Sequence, residues 1–110
     1  MIEEIIQNYL RENAFPCYLS VPEKPSGNFC VLEKTGSGYE DGIFTATLAV
    51  QSYGSSDYAA AQLSHRVVQT MLDADTLPEI VSCTLNTDYN FPDTTRKLPR
   101  YQAVFDVVHY

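Results

Sequence analysis

Ile43 to Tyr53 alternates in polarity, and a helical period begins three residues after it ends. Phe44, Ala46, Leu48 and Val50 point one way, and Thr45, Thr47 and Gln51 the other. A period of two in a run rich in β-branched residues predicts a half-buried strand. Gly54-Ser55-Ser56 breaks the alternation. Ser55 or Ser56 can accept a hydrogen bond from a free helix N–H, and Asp57 complements the positive end of the helix. Ala60, Leu63, Val67 and Met71 then recur at helical spacing, with Val68 and Leu72 widening the stripe, which predicts a helix over Ser56–Asp73. A long strand that turns within three residues into a four-turn helix is the frame on which the remaining elements must pack. The pair carries no chemistry of its own.

The flanking segments supply those elements. Ile2, Ile5, Ile6, Tyr9 and Leu10 mark an amphipathic first helix that ends at Asn13. Phe15 to Val21 reads as a short strand, confined to an edge by Pro16. Phe29 to Lys34 reads as a second strand, and Thr35 to Gly42, with three glycines, as a flexible hairpin connection. Ile80 to Tyr89 alternates with Val81, Cys83, Leu85 and Tyr89 on one face. Tyr101 to Tyr110 does so with Tyr101, Ala103, Phe105 and Val107 inward. Between them Asn90 to Pro99 is a long loop for a small domain, and such loops tend to be functional. The order α-β-β-β-α-β-β in 110 residues predicts one α+β domain, residues 1–110. Its sheet has about five strands, mostly antiparallel or mixed, with two helices on one face. Whether Ile43–Tyr53 and Ile80–Tyr89 run parallel stays open.

Charge narrows the function classes. The net charge is −7, so phosphate neutralisation gives no affinity and tight nucleic-acid binding is not expected. Thr35 to Thr95 holds eight acids and one base, Arg66, whereas Arg96, Lys97 and Arg100 place three of the seven bases within five positions. Eight Tyr and five Phe are many for this length, and Tyr joins apolar area to a polar handle, as protein interfaces use it. Three cysteines, an odd number without zinc spacing, read as small buried thiols. With no basic leader and no apolar run of membrane length, the expected setting is a reducing cytoplasm.

Catalytic candidates are sparse. If the last two strands form a hairpin, Cys83 lies near Val107 with His109 as its diagonal neighbour, a pairing that could activate a thiolate. No oxyanion hole or third orienting group accompanies it. Glu3/Glu4, Glu40/Asp41 and Asp73/Asp75 are carboxylate pairs in exposed helix or turn positions without a histidine beside them, and His65 falls on a wet helix side. The glycine-rich segment leads into a strand and carries two acids, which does not suit a phosphate. No catalytic residue, metal or cofactor is expected. The basic cluster set against an acidic body points instead to association through charge.

Several pieces in one order carry a resemblance: the N-terminal helix; Val21-Pro22-Glu23-Lys24-Pro25; Phe29 through Glu33-Lys34-Thr35-Gly36 and Gly38; Val50-Gln51-Ser52-Tyr53 with Ser55 and Ala59-Ala60; and Arg100-Tyr101-Gln102-Ala103. Together they resemble the tail terminator (tail-completion, or minor structural) proteins of long-tailed bacteriophages and prophages. The resemblance implies a non-enzymatic ring, commonly a hexamer, that caps the tail tube and joins it to the head connector. The implied partners are further copies of the chain, the tail tube protein and the connector protein. Genome DNA would pass through without specific binding, and no membrane is involved. The implied location is the virion neck, after assembly in the bacterial host cytoplasm.

Phe91, Asp93, Arg96, Lys97 and Arg100 of the long loop, with Tyr39, Glu40 and Asp41 of the acidic segment, are the expected contact residues. The loop is expected to reach out of the domain. Other readings are another neck protein of head–tail connection or completion, a small cytosolic protein-binding adaptor, and a thiol enzyme using Cys83 and His109.

Overall fold

The computed structural model describes residues 1–25 and 27–110. In chain order it contains α1 (Ile2–Glu12), β1 (Cys17–Tyr18), β2 (Phe29–Glu40), β3 (Ile43–Tyr53), α2 (Asp57–Met71), a short 3-10 turn (Ala74–Thr76), β4 (Ile80–Asn90) and β5 (Arg100–His109). The sheet order is β1-β2-β3-β5-β4, with β1 parallel to β2 and every other pair antiparallel. This is a single α+β domain with a five-stranded mixed sheet. Because β5 separates β3 from β4 and opposes both, those two strands run parallel without touching.

Both helices cover one face. Ile6 and Leu10 of α1 and Leu63, Val67 and Met71 of α2 meet Leu32, Leu48, Val50, Phe105 and Val107 of the sheet in one buried cluster. Each fully buried aliphatic chain stabilises the fold by roughly 1.5–3 kcal/mol. The Tyr9 hydroxyl ties the helices by donating to the Thr70 carbonyl at 2.7 Å. Ser56 caps α2, its Oγ accepting from the Ala59 N–H at 3.1 Å. The strand-to-helix turn depends on Gly54, where a Cβ would lie 2.5 Å from the Ala60 nitrogen.

Several expected details differ. The strand around Phe15 to Val21 contracts to Cys17–Tyr18. Thr35 to Gly42 is not a flexible connection: β2 continues through Glu40, and the reversal is made by Asp41 and Gly42 alone. Both have positive φ, 52° and 82°, the geometry of a two-residue hairpin turn that follows the sheet twist. Val81, Cys83, Leu85 and Tyr89 do not form one face of like burial: Cys83 is buried, whereas Val81, Leu85 and Tyr89 are 44%, 36% and 41% exposed. β4 is an edge strand, and register shifts between Ile80 and Ser82 and between Leu85 and Thr87 break its two-residue period. Leu72 is likewise exposed, while Ser64 joins the buried side of α2. Phe44 is 42% exposed and lines an open groove with Ile2 and Ile5 of α1.

Candidate functional site

The expected contact residues fall into two groups at opposite ends of the sheet. Tyr39 pairs with Phe44 near the start of β3, and Arg100 pairs with Tyr53 at its end. Nine residue steps at about 3.3 Å separate the groups by roughly 30 Å. The molecule measures 43 × 24 × 24 Å, so the groups do not converge on one site within a copy.

At the first end β2 and β3 form a hairpin ribbon whose turn lies just past Phe44, the last β3 residue paired with β5. A bulge at Thr35 flips the side-chain parity of β2, so that Tyr39 lies on the helix side of the sheet. Tyr39 and Phe44 rest against each other with ring centres 4.6 Å apart, and Phe44 stacks on His109 at 5.4 Å. Tyr39 remains 65% exposed. Glu40, Asp41 and Gly42 complete the tip, all exposed. Beneath the ribbon a groove of about 380 Å³ runs between α1 and the sheet, lined by Ile2, Ile5, Lys34, Phe44, Ala46 and His109. Lys34 faces Glu3 at 3.7 Å, which offsets its charge.

The second end is folded inward. The loop after β4 does not reach out of the domain; it doubles back on the sheet face opposite the helices. Asp93 and Leu98 exchange two backbone hydrogen bonds of 3.0 Å, closing Thr94 to Lys97 into a tight turn in which Lys97 has φ 56°. Leu98 packs on a small second cluster of Phe29, Val31 and Tyr53. Asp93 is 4% exposed and sits at the centre of a polar node. Its carboxylate accepts from the Tyr53 hydroxyl at 3.0 Å, from the Arg96 N–H at 3.1 Å and from the Arg96 guanidinium at 3.1 Å. Arg100 donates to the Tyr53 hydroxyl at 3.1 Å and to the Phe91 carbonyl at 2.7 Å, with its guanidinium 4.4 Å from the Phe91 ring centre.

Burial alone would raise the Asp93 pKa. The Arg96 backbone and guanidinium, the Tyr53 hydroxyl and the Arg100 charge outweigh it and hold the carboxyl below its usual value. Burial likewise raises the Tyr53 phenol, against the hydrogen bond from Arg100.

The node divides the basic cluster. Arg100 and Asp93 are internal, Arg96 is tied to Asp93 with its side chain 47% exposed, and Lys97 is exposed with no ion pair among the described residues. Lys97 lines an open hollow of about 360 Å³ with Pro92, Leu98 and Pro99, and Asp57, Asp93 and Thr94 belong to the same lining.

The hairpin of β4 and β5 does place Cys83 opposite Val107, with His109 two residues on. Burial pushes the Cys83 thiol up to about 12, and Asp75 and Asp106 add to the shift, so the thiol is protonated at neutral pH. His109 is held in the stack with Phe44. Cys17 and Cys30 are pushed up to about 11 and about 12, also mainly by burial.

Sequence reasoning missed the hollow and the aromatic ribbon. The Asp41-Gly42 pair, following an extended run, was the available signal for the ribbon. Nothing local announces the hollow, because its walls come from a loop and from the start of α2. No helix among the described residues is long and apolar enough to cross a membrane. No family model and no curated protein matches the chain.

Proposed function

We propose that this chain is a non-enzymatic virion assembly protein. In this reading it closes into a ring, a hexamer by the resemblance its sequence carries, on the tail tube of a long-tailed phage and joins the tube to the head connector. The observation that carries the reading is the inequality of the two ends of the sheet. One projects an acidic aromatic tip, and the other presents a fixed loop with an outward lysine. Two unlike surfaces on one molecule support head-to-tail contacts, which close into rings when the rotation allows. The net charge of −7 suits a channel through which DNA moves without sticking.

The test is the mass in solution across a concentration series, with negative-stain images at the highest concentration. Closed rings that also cap isolated tail tubes are the expected result. A monomer at every concentration overturns the reading and favours a small adaptor.

A further inference from the structure

We infer that the ribbon tip of one copy seats its Tyr39 phenol in the hollow beside Lys97 of the next copy. The inference rests on the assembly reading and names the surfaces through which it would occur. A hollow of about 360 Å³ has room for one large side chain. Pro92, Leu98 and Pro99 of its lining are apolar and suit an aromatic ring, and Asp57 of the same lining offers an acceptor to a phenolic hydroxyl. Lys97 can meet the acid that follows Tyr39 in sequence, Glu40.

The knob has matching properties. Tyr39 is 65% exposed at the end of a hydrogen-bonded ribbon, so little ordering is needed when it docks. The two surfaces lie at opposite ends of a molecule 43 Å long, so a copy cannot satisfy itself and must use a neighbour. The open edges of the sheet fit a second copy less well. β4 carries two register shifts and the free part of β2 one, and such bulges interrupt strand-to-strand pairing.

The experiment is sedimentation of four variants beside the parent, with circular dichroism to verify folding. Tyr39→Ser removes the knob, and Glu40→Lys and Lys97→Glu each place like charges across the contact. The double variant Glu40→Lys/Lys97→Glu restores the pair in reverse. Each single variant is expected to weaken association roughly tenfold or more.

Glu40→Lys gives the sharpest reading. It lowers the net charge from −7 to −5, so if overall repulsion governed association it would strengthen it. The double variant keeps the net charge at −7 and is expected to recover association. Single variants that associate like the parent, a tighter Glu40→Lys, or a double variant no better than the singles would overturn the contact while leaving ring assembly standing. A parent that never associates overturns both.

Discussion

The two ends of the β3 strand contain similar ingredients, aromatic rings beside charged groups, and use them in opposite ways. At the Tyr53 end the charges face inward: Asp93 is buried, and Arg96, Arg100 and Tyr53 all donate to it or to one another. At the Phe44 end the rings stack only on their cross-strand neighbours, and Glu40 and Asp41 stay in water. The cause is coverage. The Tyr53 end lies under a returning loop that brings partners to its polar groups. The ribbon end has no returning loop over its tip, and only the open groove beside the start of α1 lies next to Phe44. A run of charge in a sequence therefore marks a surface only when the chain does not fold its own counter-charge back onto it.

The body between the ends sets the scale for testing this contrast. Val67 is fully buried in the helix stripe, and Val67→Asp is expected to prevent folding, at a cost of about 3–5 kcal/mol for an unpaired buried charge. Gln69→Asp, on the wet side of the same helix, should stay within about 0.5 kcal/mol in a denaturant melt.

Next in size is the node. Asp93→Ala leaves the Tyr53 hydroxyl and the Arg96 backbone and guanidinium N–H groups without their acceptor and should cost about 2 kcal/mol. The same group sets a pH response. Its folded pKa lies below the unfolded value, so its contribution is fully present above roughly pH 4 and is lost as pH falls through the folded pKa. The near-ultraviolet signal of Tyr53, stacked 4.6 Å from Phe29, should change in that acid window in the parent and not in Asp93→Ala.

Much of the frame was readable because alternation and helical spacing follow directly from which face is buried. Ala60, Leu63, Val67 and Met71 are buried where their period puts them. The ribbon was hidden by its glycines, which suggest a loop when read alone. At Gly38 a Cβ would lie 2.8 Å from the Thr45 Oγ1, so the glycine there permits close pairing of two strands. The roles within the basic cluster were not readable at all. Arg96, Lys97 and Arg100 look alike in sequence, and only the position of Asp93 beneath them separates two residues tied to its carboxylate from one that is not.

Smaller effects should divide those residues. Arg96→Glu sets a second acid against Asp93 and should cost about 1 kcal/mol or more in the monomer. Lys97→Glu should stay within about 0.5 kcal/mol, because its side chain carries no ion pair among the described residues, and Tyr39→Ser should cost no more than about 1 kcal/mol through the lost contact with the Phe44 ring. If all three melt alike, the two ends are not used differently. Smallest is the response of Cys83 to alkylation at neutral pH. Its thiol is buried and its pKa pushed up to about 12, so labelling should proceed only as the fold opens. Rapid labelling of the folded chain would reopen the thiol-enzyme reading.

The unlike-ends contact itself is open to a direct geometric measurement. Mixing Glu40→Cys copies with Thr94→Cys copies and adding a short bismaleimide reports which ends meet. The three native thiols are buried and should stay silent. Predominant linkage between a Glu40→Cys copy and a Thr94→Cys copy is the expected result. Linkage mainly between two tips or between two loops, or none in a sample that sediments as an oligomer, would contradict the account.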